Sequence, residues 1–321
     1  MILVTGGGGF IGLNVAHGLV EKGQEVVLVQ RRSVDPPSYL ARFWGKQVKE
    51  ARGSIMSLPF LVSVARSYPI DGIVHAAFDS GGIDPRQGIS AASGRDLNDI
   101  VQNAMQGGTN VLELARLFNV KRFTFTSSVD TYRGFPKDCD QWTEDALLPP
   151  VSFTLIGNTK KAMEQLSLLY SKTYNFSVVS LRVGHCYGPS TSHALDPMAR
   201  MVEAAVAGKP VDLSSVPANA RAHTVYVKDA GEATALLQLK ETLEHHVYNV
   251  TDGDHPTMGE VAQIVRELVP TARITLGPER EGGFVQTPPP HKRLAEETGF
   301  RPRGLKEGIA AYIAFVRDGT Y

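Results

Sequence analysis

The segment that most constrains this chain is its first twelve residues, Met-Ile-Leu-Val-Thr-Gly-Gly-Gly-Gly-Phe-Ile-Gly. Ile2-Leu3-Val4 is a continuous apolar run, the pattern of a short strand buried on both faces. A helix is expected from about Phe10 to Lys22. The glycines between the two permit a tight turn and a close approach of backbone to a phosphate at the helix N-terminus. A lone glycine string says little. Between a strand and a helix it is a specific signature of a dinucleotide site. Gly6, Gly9, Phe10, Ile11 and Gly12 are therefore the expected contacts.

The rest of the chain continues the alternation. Strands are expected at Glu25–Val29, Ile73–Ala77, Arg122–Thr126 and Ser177–Arg182. Helices are expected over about 97–118 and 156–173. Alternating strands and helices imply an α/β fold with a doubly wound parallel sheet. Residues 33–52 read as irregular. Residues 79–96, rich in Gly, Ser and Asp, read as a substrate-side loop. After Gly188-Pro189 the regularity weakens, with helices expected at Met198–Ala207 and Thr257–Leu268. The expected organisation is a dinucleotide-binding domain over 1–182 plus about 225–252. A smaller substrate-binding lobe would comprise 183–224 and 253–321.

Composition narrows the class. Lys+Arg and Asp+Glu are equal at 33 each, so no basic stripe points to a nucleic acid partner. The two cysteines, Cys139 and Cys186, are too few for a disulfide framework, and no Cys/His spacing fits zinc. No apolar run approaches the ~20 residues of a membrane span, and a strand starting at residue 2 leaves no room for a leader. The expectation is a cytoplasmic, metal-free protein with a small-molecule substrate.

The end of the second strand bears on which dinucleotide is held. An acid there would accept the ribose 2′-hydroxyl of NAD. This chain has Gln30-Arg31-Arg32-Ser33. Two guanidinium groups suit a 2′-phosphate by charge and by fork geometry. Arg31 and Arg32 thus favour NADP over NAD, unless they are surface charges beside a permissive pocket.

Nearly end to end, the chain resembles the extended short-chain dehydrogenase/reductase family, in its epimerase/dehydratase branch. Beyond the glycine turn, His75-Ala76-Ala77 is similar to the family's strand end beside the cofactor. Val120-Lys121-Arg122-Phe123 leading to Ser127-Ser128 resembles the strand that delivers a catalytic Ser or Thr. Lys160 to Glu164 resembles the K-x-x-x-E part of the active-site helix. Leu181-Arg182 through Tyr187-Gly188-Pro189, Val227-Lys228-Asp229, Tyr248-Asn249-Val250 and Thr298-Gly299-Phe300-Arg301-Pro302 resemble later landmarks. The resemblance implies a Rossmann-type fold, Ala76 and Ala77 beside the cofactor, Lys160 on the nicotinamide ribose and Ser128 donating to substrate. It also implies a homodimer built on the Lys160 helix and the helix near 97–118.

The departures are as informative. The family's Tyr-x-x-x-Lys places a phenol and an ammonium on one helical face, where the lysine lowers the phenol's pKa. Here Ile156 stands at the tyrosine position, four residues before Lys160. His185 replaces an Asn that often touches substrate, and Val216 to His223 matches the sugar-nucleotide enzymes poorly. Replacement proton carriers are sought nearby. Asp130 is a base, or a loop aspartate capping a turn. Tyr132 is a phenol that swings to substrate, or a structural residue. His185 titrates in the right range, or packs. Asp79, His223 and Tyr226 are lesser candidates, and Cys186 reads as a buried apolar residue. The expected activity is an NADP-dependent epimerase, dehydratase or carbonyl reductase with a substituted relay. The alternatives are a non-redox lyase, isomerase or cyclase with a structural nucleotide, and a non-catalytic NADP(H) sensor.

Overall fold

The structure is a computed structural model that describes residues 1–78, 97–134, 142–189, 196–280 and 289–321. Its first half runs β1 (Ile2–Thr5), α1 (Phe10–Glu21), β2 (Val26–Gln30), α2 (Ser38–Ala41), β3 (Val48–Arg52), α3 (Leu58–Ser67), β4 (Gly72–His75) and α4 (Leu97–Leu117). β5 (Arg122–Ser128), α5 (Leu155–Tyr174), β6 (Ser177–Val183) and β7 (His185–Tyr187) follow. Next come α6 (Pro197–Val206), β8 (Pro210–Pro217), β9 (Thr224–Tyr226), α7 (Val227–Leu239) and β10 (Val247–Val250). The chain closes with α8 (Met258–Leu268), β11 (Arg273–Gly277), α9 (Lys292–Thr298) and α10 (Leu305–Asp318).

Seven parallel strands form one sheet in the order β10-β6-β5-β4-β1-β2-β3. The two-residue period of the strands divides its faces. Leu3, Val27, Val29, Ile73 and Phe123 pack with α3, α4 and α5. Ile2, Val4, Val26, Leu28 and Val74 pack with α1 on the other face. This is the Rossmann-type doubly wound fold that the alternation implied. A separate apolar core joins Met198, Met201 and Val202 of α6 to Met258, Val261 and Val265 of α8 and Ile309, Tyr312 and Ile313 of α10.

Residues 33–52 are more ordered than their sequence suggests. Val48–Arg52 is the edge strand β3, and Ser38–Ala41 a short helix. Val-Lys-Glu-Ala-Arg looks unlike a buried strand because an edge strand can carry charge. Elsewhere the helix boundaries follow local signals. Thr154 caps α5 by accepting the Gly157 N–H at 2.9 Å, and Asn175 ends that helix in the left-handed region. Thr257 and Glu260 form a reciprocal capping box on α8.

The registers set the site. Thr5 pairs with His75, Phe125 with His75, and Ser128 with Val183. The carboxyl ends of β1, β4, β5 and β6 therefore meet at one edge, where open α/β sheets bind ligands.

Candidate active site

Gly6, at φ +67°, turns the chain out of β1. A Cβ on Gly12 would lie 2.2 Å from the Gly6 carbonyl oxygen, so α1 starts in direct contact with the turn. Ala76 and Ala77 close the turn from the other side. The Ala76 N–H donates to the Thr5 carbonyl at 3.1 Å, and a Cβ on Gly6 would meet the Ala77 backbone at 2.6 Å. Gly9 precedes α1 without a side-chain cap, and the first turn holds no acid. Phe10, Ile11 and Gly12 form the first turn of α1, whose N-terminus faces the glycine turn. Together with the helix dipole they suit a phosphate. The residues present thus fit a dinucleotide.

Lys160 lies beneath the sheet edge. Its side chain is buried, its Nζ donates to the Thr126 carbonyl at 2.6 Å, and the ammonium sits 4.7 Å from the Phe125 ring and 4.9 Å from the Phe78 ring. Burial lowers its pKa to about 7, against a smaller opposing pull from Glu164. A small cavity lined by His75, Ala77, Phe78, Phe125 and Met163 opens beside it. His75 is held neutral by burial, its pKa lowered to about 3, and its Nδ1 lies 2.6 Å from the Thr5 hydroxyl.

Ser128 ends β5 at this edge. Its Oγ accepts the Asp130 N–H at 3.1 Å, which leaves the hydroxyl proton to be donated. The first turn of α5, carrying Ile156, docks on the 3-10 turn Val129–Tyr132 that follows. Thr154 donates to Asp130 Oδ2 at 3.1 Å, and Ser152 donates to the Asp130 carbonyl at 2.8 Å. Asp130 Oδ1 meets Arg133 Nε at 2.6 Å. Asp130 is therefore the clasp between β5 and α5, with both carboxylate oxygens engaged, and the base reading is corrected accordingly.

Tyr132 is corrected more firmly. It is fully buried. Its hydroxyl donates to Asn249 Oδ1 at 2.8 Å and accepts from Arg182 at 2.9 Å. Burial pushes its pKa up to about 12. Arg182 in turn binds Glu164, Nη2 to Oε2 at 2.8 Å, with both side chains 5% exposed. Proximity to Ser128 in sequence placed Tyr132 near the site, but its ring points into the core against Trp142. Tyr226 is also buried and shifted upward by burial, and Arg303 lies over its ring.

His185 faces differently. It is about a third exposed, and its Nε2 lies 2.7 Å from Asp196 Oδ2, a carboxylate only 8% exposed. Asp196 also caps α6 by accepting the Ala199 N–H at 3.0 Å. A carboxylate fixed by a helix and set against an imidazole orients the ring. Sequence reasoning missed Asp196. The pair Asp196-Pro197 signals a helix start, not a histidine partner. His223 is buried, stacked 3.9 Å from His255, and held neutral with its pKa lowered to about 2. Burial raises the Cys186 thiol to about 12, which leaves it unreactive. Asp79 and Cys139 lie outside the described residues, as does the segment 79–96.

Arg31 and Arg32 are exposed beyond the end of β2. The side chain that lies against the glycine turn is Gln30. Among the described residues no cluster of His, Cys, Asp or Glu could hold a metal, and no helix is long and apolar enough to cross a membrane.

The model of the NAD dependent epimerase/dehydratase family matches residues 2–251. The chain belongs to this family. Across 98% of both chains it is 25% identical to an uncharacterised 37.6 kDa protein of Escherichia coli O111:H-. It is 25% identical to the UDP-glucuronate 4-epimerase of Thermodesulfobacterium geofontis, over 83% of this chain and 80% of that one. The UDP-glucose 4-epimerase of Thermus thermophilus, solved in complex with NAD, superposes with a TM-score of 0.80 at 26% identity over 99% of each chain.

Proposed function

We propose that this protein is a nicotinamide-dinucleotide-dependent epimerase, dehydratase or carbonyl reductase whose proton carrier is His185, held by Asp196. The observation that carries this reading is the 2.7 Å contact between the partly exposed imidazole and the buried carboxylate at the sheet edge. Ile156 cannot exchange a proton, so the chemistry needs another group there. The bound dinucleotide would supply the hydride acceptor or donor. Gly6, Gly9, Phe10, Ile11 and Gly12 would hold its phosphates, Ala76 and Ala77 would flank it, and Lys160 would hold its nicotinamide ribose. Ser128 would donate its hydroxyl proton to the substrate oxygen. His185 would take or return the proton as that oxygen changes between hydroxyl and carbonyl. The core built on α6, α8 and α10 serves as the substrate lobe.

The form of dinucleotide turns on the tip of β2. Arg31 and Arg32 support NADP(H), since either can fold back onto a 2′-phosphate. Gln30, beside a carboxylate and against the glycine turn, supports NAD(H), and solved relatives hold NAD. We take NAD(H) as the working cofactor. The substrates to try first are UDP-glucose and UDP-glucuronate, which relatives bind.

Turnover of these substrates is expected to fall by ~10²–10⁴ in His185→Gln, the usual worth of a general acid–base, with dinucleotide affinity unchanged. Adding Ile156→Tyr to that variant is expected to restore part of the loss. Full turnover in His185→Gln would overturn the relay. Ile156 also favours a second reading, a non-redox lyase or isomerase with a structural nucleotide. It predicts product formation with no transient change in nicotinamide absorbance.

A homodimer across α4 and α5 belongs to the same proposal. These helices pack side by side, and Leu117, Leu169 and Tyr174 are exposed on them at 50%, 58% and 47%. Sedimentation at micromolar concentration is expected to give twice the chain mass, and Leu169→Glu to give the monomer.

A further inference from the structure

The tip of β2 carries an unusual arrangement of polar groups. Gln30 is 7% exposed. Its Nε2 donates to Glu50 Oε1 on the neighbouring strand β3. Gln30 is the register partner of Arg52, so Glu50, two residues back on β3, shares its face of the sheet. A carboxylate can only accept, which forces the amide NH₂ toward Glu50 and the amide oxygen away from it. That oxygen is buried and has no hydrogen-bond partner among the described residues. It would lie 2.2 Å from a Cβ on Gly8, so it is aimed at the glycine turn.

Leaving a buried acceptor without a partner is unfavourable, and a donor relieves it. The end of β2 is where a dinucleotide's adenosine ribose is read. A ribose 2′-hydroxyl is a donor of the right size. A 2′-phosphate at neutral pH is an acceptor and an anion. It would meet the Gln30 oxygen head-on with the Glu50 carboxylate behind it.

We infer that Glu50 is the specificity-determining residue of the dinucleotide site. From β3 it fixes the Gln30 amide so that its oxygen accepts the 2′-hydroxyl of NAD and excludes the 2′-phosphate of NADP. This rests on the reading that a nicotinamide dinucleotide occupies the glycine turn. The negative charge that β2 lacks is supplied one strand away and relayed through a neutral amide. Arg31 and Arg32, exposed beyond the tip, are then bystanders to the choice.

The test is calorimetric titration of the nucleotide-free protein with NAD⁺ and with NADP⁺. The native chain is expected to bind NAD⁺ at least about tenfold more tightly, the scale of one hydrogen bond gained. In Glu50→Gln the amide is free to turn its NH₂ toward a phosphate, and the NAD⁺/NADP⁺ preference is expected to fall by about tenfold. Gln30→Glu places the carboxylate directly and is expected to keep NAD⁺ binding while weakening NADP⁺ further. It carries the test if Glu50→Gln fails to fold. Native preference for NADP⁺ overturns the inference. So does an unmoved ratio in Glu50→Gln, or a ratio that moves instead in Arg31→Ala/Arg32→Ala. If the native chain binds neither nucleotide, the dinucleotide reading itself falls. If it binds both and neither variant alters the ratio, only the role of Glu50 falls.

Discussion

Glu164→Ala is expected to destabilise the fold by about 3–5 kcal/mol, the cost of leaving one partner of a buried ion pair uncompensated. Glu164 meets Arg182 through three contacts between 2.8 and 3.3 Å and also accepts from Ser127. Arg182 carries its charge in the core, and opposite charge and hydrogen bonding from Glu164 help hold its pKa above the ordinary arginine range despite desolvation. Without the carboxylate, its remaining polar partners among the described residues are the Tyr132 hydroxyl and the Glu144 carbonyl. Denaturant unfolding measures the effect. The paired change Glu164→Met/Arg182→Met is expected to cost much less, because it removes both charges together. A loss below about 1 kcal/mol in Glu164→Ala would show that water reaches Arg182.

Lys160→Met is expected to separate stability from function. Turnover is expected to fall at least ~10²-fold, since a cofactor displaced by about an ångström costs that much. Stability is expected to rise, most strongly in acid. Burial lowers the Lys160 pKa from 10.5 to about 7. Below pH 7 the amine is charged in folded and unfolded chains alike, and the cost of burying that charge is fully present. Between pH 7 and 10.5 the unfolded chain holds the extra proton, so native stability climbs with pH. The gain from methionine, about 1–4 kcal/mol at low pH, is therefore expected to fade as pH rises through that interval. Thermal melts of both forms across the pH range measure it. A gain that grows with pH would mean that folding raises the Lys160 pKa instead of lowering it. A group kept at a stability cost in the unliganded chain is what a binding site requires.

Much of this protein is legible in order along the chain. The glycine turn between an apolar run and a helix, the strand–helix alternation and the Ile156–Lys160 spacing are local patterns, and each reappears in the structure. The reading fails where a residue's environment is supplied from far away. β3 looks irregular because an edge strand needs little apolar surface. Tyr132 reads as a phenol that swings to substrate or as a structural residue, and a single 3-10 turn sends its ring into the core. Asp130 reads as a base or as the cap of a turn, and Thr154 and Arg133 engage both its oxygens.

The residues that orient the site are hidden for the same reason. Asp196 meets His185 because α6 begins beside β7, and Glu50 meets Gln30 because β3 pairs with β2 in a particular register. Periodicity and turn chemistry act over a few residues, so the amino-acid order alone settled the architecture, the glycine cradle and the missing phenol. Direction and protonation depend on desolvation and on partners brought from other elements. The burial of Lys160, the withdrawal of Tyr132 and the pairing of His185 with Asp196 therefore exist only in the folded chain.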